Sequence, residues 1–281
     1  MEFETIASER LGEDVLDPTA ITQLGDELYE ALVKRRTVKP LTGRLPGITI
    51  EDAYHIQQRM VGRRLDNGEK VVGKKIGVTS KVVMDMLNVH QPDFGYLLDG
   101  MIYNDGEMVP FNRLIQPKAE GEIAFGLKRD LMGPGLTNAD VLAATEFVMP
   151  CFEIVDSRIE NWQIKIQDTV ADNASCGVFV LGDQVVDPRR VDLTLCGMVL
   201  ERNGEVVATG AGAAALGSPA NAVAWLANTL GRLGIPLKAG EVILSGSLAA
   251  MIPVKPGDAF RVSIGGIGNC SVRFSSSKAE A

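Results

Sequence analysis

Residues 117–125 read Pro-Lys-Ala-Glu-Gly-Glu-Ile-Ala-Phe. On a β-strand successive side chains point to opposite faces, so Glu120 and Glu122 share one face with only Gly121 between them. Two carboxylates held that close repel and raise each other's pKa unless something positive sits between them, and a divalent cation bound by hard oxygens is the simplest remedy. The plain alternative is an exposed strand face carrying two solvated glutamates. Glu153 follows 31 residues later inside the apolar run Val148-Met-Pro-Cys-Phe-Glu-Ile-Val155, where a carboxylate must be paired, protonated or bound to a metal. With Glu120 and Glu122 it would complete an all-oxygen site suited to Mg²⁺ or Mn²⁺. Pairing of Glu153 with Arg158 or Lys118 is the competing reading, and spacing alone leaves the two open.

Composition narrows the chemistry. The 281 residues are 46% apolar, enough for a substantial core, and the net charge of −8 with a pI near 5.0 argues against nucleic acid or an acidic membrane as partner. Residues 1–20 are acidic without an apolar segment of the kind that directs export, and no uncharged apolar run of 18 residues occurs, so the expected compartment is the cytoplasm. Cys151, Cys176, Cys196 and Cys270 form no CxxC and read as buried small hydrophobes. His55 and His90 are the whole histidine complement, which makes His-rich metal sites and most Ser-His-Asp arrangements hard to build.

Periodicity sets out the elements. A helix is expected from Asp17-Pro18 to about Arg36, with Ile21, Leu24, Leu28, Ala31 and Leu32 on one face, and a second behind the capping pair Thr49 and Asp52, ending at Asp66-Asn67-Gly68. Lys39–Gly47 between them reads as a connector, and residues 1–16 as an extension. Beyond residue 70 the texture turns to short β-rich runs. Strands are expected at Val71–Val78, after the loop Gln91–Asp99, at 117–125, Cys151–Asp156, Val242–Ser245, Ala259–Ile264 and Ser271–Phe274. Asn203-Gly204 marks a two-residue hairpin. Helices are expected behind Ser80, over Asn138–Phe147 behind Thr137, and from Pro219 to about Leu233. The division is a helical region over 1–70, a β-rich domain over 71–276 and a tail over 277–281, and the intruding hairpins disfavour a doubly wound parallel sheet.

Lys74 and Lys75 fall on opposite faces of their strand, so one points inward if the other points out; the inward one could bind a substrate anion or shuttle protons with a lowered pKa, while a solvated lysine pair is the plainer and commoner reading. Asp93, after Pro92, is either an acid–base group or a turn-forming aspartate. Asp168-Thr-Val-Ala-Asp-Asn-Ala-Ser175 is dense in hydrogen-bonding groups ahead of an apolar strand, as a cap or a ligand-facing loop would be. Ser245-Gly-Ser247 is a short, weak candidate for phosphate binding, and neither a GxGxxG after a strand nor a P-loop is present.

Taken in order, Lys75-Ile-Gly-Val-Thr-Ser80, Gln91-Pro-Asp-Phe-Gly95, Pro117–Phe125, Phe152-Glu-Ile-Val-Asp-Ser-Arg158, Asp168–Ser175, Ala220-Asn-Ala-Val-Ala-Trp-Leu-Ala-Asn228 and Leu244-Ser-Gly-Ser247 resemble the 2-keto-4-pentenoate (2-hydroxypenta-2,4-dienoate) hydratases of aromatic meta-cleavage, within the fumarylacetoacetase-like superfamily. The resemblance implies an α+β fold with a fumarylacetoacetase C-terminal-like mixed β-rich core (a β-sandwich or roll), a helical N-terminal region, and assembly as a homo-oligomer. It implies Mg²⁺ or Mn²⁺ held by Glu120, Glu122 and Glu153, with Lys75, Asp93 and Ser175 at the active site. The implied reaction hydrates a small 2-hydroxy-dienoic acid to 4-hydroxy-2-oxopentanoate. Rival readings are the sister 4-oxalocrotonate decarboxylase, hydratases of a longer dicarboxylic substrate, and a non-catalytic subunit partnering such a decarboxylase.

Overall fold

The computed structural model describes residues 16–81, 84–85 and 88–276. The expected N-terminal extension and C-terminal tail lie outside these, as does much of the short helix behind Ser80. Among the described residues no helix is long and apolar enough to cross a membrane.

The N-terminal helices form as their signals dictate. Helix α1 (Pro18–Lys34) is capped by Asp17, whose carboxylate accepts from the Thr19 amide at 3.0 Å, and it ends where Arg35 turns left-handed. Helix α3 (Ile50–Asp66) starts on the Thr49–Asp52 capping box. The connector between them holds one short turn of helix, α2 (Leu41–Arg44). Leu24, Leu28 and Ala31 of α1 bury against Ala53, Ile56 and Met60 of α3 in a core that Ile159, Ile166 and Val170 complete. The last two belong to α5 (Ile166–Ala171), so the helical layer draws in chain from about a hundred residues downstream. Asp168 of α5 accepts from both the amide and the hydroxyl of Thr42, at 3.0 and 2.7 Å, and fastens α2 there.

The β-rich remainder is two sheets. Strands β1 (Val71–Gly77), β2 (Asp93–Leu98), β3 (Ile102–Asn104), β5 (Pro117–Leu127), β6 (Thr145–Asp156), β7 (Cys176–Leu181) and β10 (Val242–Leu244) lie in the order β2-β1-β10-β5-β6-β7-β3, with β11 (Ile252–Pro253) added on β5. Strands β4 (Met108–Val109), β8 (Gly197–Arg202), β9 (Glu205–Ala211), β12 (Ala259–Ile264) and β13 (Gly268–Phe274) make the second, ordered β4-β13-β12-β8-β9. The β8–β9 hairpin turns on Asn203-Gly204, both at positive φ. Where the sheets meet, Phe152 and Phe260 pack edge to face at 6.4 Å, and a Cβ on Gly121 would stand 2.8 Å from Val262. This mixed β core flanked by helices is the fold class expected from the sequence.

Four local expectations are corrected. The helix behind Thr137, α4 (Asn138–Ala144), stops three residues early, because Thr145 and Phe147 pair with Leu127 and Gly126 and extend β6. Phe147 lays its ring over Gly126, where a Cβ would come within 2.4 Å of it, so packing across the ladder overrides helical spacing. The strand at β1 ends at Gly77 with Val78 left-handed. Neither Lys74 nor Lys75 is solvated: both are 3% exposed, because the strand is interior to its sheet and covered on both faces. The stretch Gln91–Asp99, expected as a loop ahead of a strand, itself holds the buried strand β2, whose residues pair with β1. Helix α6 (Pro219–Gly231) and the other expected strands fall within about three residues of expectation.

A candidate metal and acid–base site

Strand register collects the candidate residues on one face of the larger sheet. Lys75 is opposite Leu244 of β10, Leu244 opposite Ala124 of β5, and Glu122 and Glu120 follow at the two-residue period. Glu120 is directly opposite Glu153 of β6. On the other side Lys75 pairs with Gly95 and Gly77 with Asp93, which brings the Asp93 carboxylate to the same face. Asp93 therefore begins a buried strand and is not a turn residue. Lys74, pointing the other way, forms an ion pair with Glu241 at 2.7 Å and has no part in this group.

One oxygen from each of Glu120, Glu122 and Glu153 lies within 4.8 Å of the others. Glu122 is 1% exposed and Glu153 fully buried, while Glu120 keeps partial access to solvent. The competing partners of Glu153 are engaged elsewhere: Arg158 with Asp172, and Lys118 over the Trp162 ring at 4.0 Å. Its neighbour is the Lys75 ammonium, 3.1 Å from Oε1 but outside hydrogen-bonding alignment, so both Glu153 oxygens and Oε1 of Glu122 lack a hydrogen-bond donor. The other Glu122 oxygen accepts from the Gly246 amide at 2.8 Å. Ser245-Gly-Ser247 thus serves a carboxylate, a role its sequence did not disclose.

Four carboxylates face one ammonium here. Burial, with Glu153 adding to it, pushes Glu120 up to about 8, and burial with Glu153 and Glu120 holds Glu122 well above the carboxylate range. Burial likewise raises Asp93, with Lys75 opposing and Glu153 reinforcing. Burial works against the charge on Lys75, yet Glu153 and Asp93 outweigh it and its pKa is raised. Lys75 is therefore held as a cation by the carboxylates around it. Orphaned buried oxygens, all of them hard donors and in excess of positive charge, are what a Mg²⁺- or Mn²⁺-sized ion fits.

Asp93 and Lys75 share a tight corner. A Cβ on Gly77 would stand 2.2 Å from Asp93 Oδ1 and 3.4 Å from Lys75 Nζ, so only glycine leaves both side chains where they are. Ser175 is buried, its hydroxyl 3.2 Å from that of Thr169 in α5. It ends a turn, Asn173–Ser175, in which all three residues are left-handed. The Asn173 amide group of this turn bonds both the N–H and C=O of Tyr96 and so closes the edge of β2. Gly77, Thr169 and the Gly246 amide were not singled out from sequence, since their parts depend on contacts made across the sheet.

Residues 77–275 match the family described as fumarylacetoacetate (FAA) hydrolase C-terminal. A 2-hydroxypent-2,4-dienoate hydratase of Pseudomonas putida is 71% identical over 78% of this chain and its own whole length. A 2-hydroxyhexa-2,4-dienoate hydratase of Comamonas testosteroni is 61% identical over 92% of the chain and 98% of its own. The chain belongs to the 2-keto-4-pentenoate hydratase family. In fold this hydratase family member matches 4-oxalocrotonate decarboxylase from Pseudomonas putida G7, complexed with magnesium and adipate, with a TM-score of 0.89 at 39% identity, over 92% of this chain and 98% of that one. A fumarylpyruvate hydrolase from Pseudomonas aeruginosa, 13% identical with a TM-score of 0.59 over 73% of this chain and 89% of its own, shares the fold.

Proposed function

We propose that this enzyme is a divalent-metal-dependent hydratase that converts 2-hydroxypenta-2,4-dienoate to 4-hydroxy-2-oxopentanoate. The observation that carries the reading is the shared face on which Glu120, Glu122 and Glu153 stand beside Lys75 and Asp93. The three glutamates are the proposed ligands. A bound Mg²⁺ or Mn²⁺ would supply a Lewis acid for the substrate's carboxylate and C2 oxygen.

The protein's own groups manage the protons. The C2 hydroxyl proton leaves and a proton arrives at C5, giving the conjugated 2-keto-3-enoate; water then places its hydroxyl on C4 and a proton on C3. Lys75 holds a proton on Nζ and stabilises negative charge developing on the substrate. Asp93, with its raised pKa and an Oδ1 free of donors, is placed to orient Lys75 or the attacking water and to exchange a proton with it. Ser175 positions the substrate by a hydrogen bond from its hydroxyl.

A cavity of about 310 Å³ opens beside Asp93 between α3 and α5. Ile50, Tyr54, Val89, Ile166 and Val170 give it apolar walls, Asn88, His90 and Gln91 add polar groups, and among the described residues no lysine or arginine lines it. An uncharged dienoate end suits it better than the second carboxylate of 4-oxalocrotonate or of a longer diacid. The names of the relatives at 71% and 61% identity support the same choice. The reading extends to a cytoplasmic homo-oligomer, with the division at residue 70, and to association with a decarboxylase subunit, which the 39% identity to one such enzyme supports.

The test is loss of dienol ultraviolet absorbance when purified protein with Mg²⁺ meets 2-hydroxypenta-2,4-dienoate. Turnover that EDTA stops is expected. Absence of turnover, together with CO₂ release from 4-oxalocrotonate, would sink the assignment in favour of the decarboxylase.

A further inference from the structure

Arg158 has no part in the proposed chemistry, yet it is fully buried beside it. Its guanidinium makes four hydrogen bonds: Nε donates to Asp172 Oδ1 at 2.5 Å, Nη1 to the carbonyls of Asp156 and Cys176 at 2.5 and 2.9 Å, and Nη2 to the Asp172 carbonyl at 2.5 Å. Asp172 Oδ2 accepts from the Arg158 amide at 2.9 Å and the Ser157 hydroxyl at 3.2 Å. The one guanidinium thereby ties the chain just past the end of β6 to the start of β7, and its bonds to the carbonyls of Asp172 and Cys176 bracket the turn Asn173–Ser175.

That turn needs holding. Asn173, Ala174 and Ser175 have φ of 51°, 50° and 54°, and none is glycine. Left-handed backbone is disfavoured for residues with a Cβ, and conformations of this kind persist only where the surroundings impose them. Its placement also matters. The Asn173 carbonyl oxygen lies 2.6 Å from where a Cβ of Gly95 would be, and Gly95 is registered opposite Lys75, so the turn lies on the face that carries Lys75. A buried ion pair is a poor device for stability alone, because desolvation consumes most of its attraction, but it is well suited to enforcing one geometry.

We propose that Arg158 and Asp172 are positioning residues of the reaction, clamping the left-handed turn that seats Ser175 over the Lys75 face. This rests on the role given above to Ser175. The experiment is a double-mutant cycle of Asp172→Asn and Ser175→Ala, with kcat, KM and Mn²⁺ affinity measured for each variant and amide hydrogen exchange followed over residues 172–176. Asp172→Asn is expected to lower kcat by roughly a hundredfold, to leave Mn²⁺ affinity within about twofold, to deprotect the turn, and to cost nothing further once Ser175 is alanine. Losses that multiply across the cycle, or full kcat in Asp172→Asn, would overturn the proposal. If Asp172→Asn does not fold, Arg158→Lys takes its place in the cycle with the same expectations, and adding Ala174→Gly, which removes the left-handed penalty, should restore part of the lost kcat. Failure of glycine to restore any activity counts against the clamp. A wild type inert toward the dienol would overturn the hydratase reading instead; the clamp is then judged by exchange, where an unchanged turn in the variant refutes it.

Discussion

Glu120 and Glu153 are direct cross-strand partners, two carboxyl groups set against each other at the centre of the larger sheet. Such a pair destabilises an antiparallel ladder unless a counter-charge stands between the two carboxylates. Glu120→Gln should therefore raise the melting temperature of the metal-free protein, by roughly 2–4 °C for each kcal/mol that burying this carboxyl beside Glu153, charged or forced to hold a proton, costs the fold, and weaken Mg²⁺ binding by roughly a hundredfold or more. Thermal melts with EDTA and with Mg²⁺ should move in opposite directions. A melt lowered in both would refute the frustrated pair.

Proton linkage follows from the same charges. Glu120 is held up to about 8 in the metal-free fold and Glu122 is raised as well, so between about pH 4.5 and 8 the folded state binds more protons than the unfolded chain. Metal-free stability should fall as pH rises through that window. Mg²⁺ binding must expel these protons, so its affinity should rise as pH rises over the same range. Calorimetry in buffers of different ionisation enthalpy would detect the proton release; its absence at pH 6.5 would contradict the assignment.

Lys74 and Lys75 should separate stability from catalysis. Lys74→Met strands the Glu241 carboxylate, which the lysine meets at 2.8 and 2.7 Å, and should cost about 3–5 kcal/mol with kcat kept within roughly threefold. Lys75→Met should lower kcat by roughly 10²–10⁴, while Mg²⁺ is held at least as tightly because the cation competing for Glu153 is gone. Denaturant melts and steady-state kinetics of the two variants decide this, and equal effects on kcat would rule it out.

Gly77→Ala tests the corner occupied by Asp93. The new methyl would stand 2.2 Å from Asp93 Oδ1, so the carboxylate must swing away from Lys75. We expect kcat to fall by roughly tenfold or more, with Mg²⁺ affinity little changed, since no glutamate of the cluster is displaced. An alanine variant with normal kcat would mean that Asp93 need not stay where it is.

Much of this was legible in the linear chain. Thr49 and Asp52 announced α3, Asn203-Gly204 the β8–β9 hairpin, and the two-residue period put Glu120 and Glu122 on one face. These signals act over four residues or fewer, where backbone geometry alone settles the outcome. Helix α4 was read three residues too long because local spacing says nothing of Phe147 closing over Gly126, and α5 went unrecognised because its partners, Thr42 and Gln57, lie more than a hundred residues away.

By itself the sequence determined that the two glutamates must face the same way, that Glu153 sits in a segment demanding burial, and that one of two adjacent lysines could join them. Which lysine does so, that Glu153 stands opposite Glu120 and beside Lys75, and that Arg158 answers Asp172 were decided only by the tertiary structure. The reason is register: pairing across β1, β10, β5 and β6 joins residues up to about 170 positions apart, and a slip of one residue would send every one of these side chains to the other face.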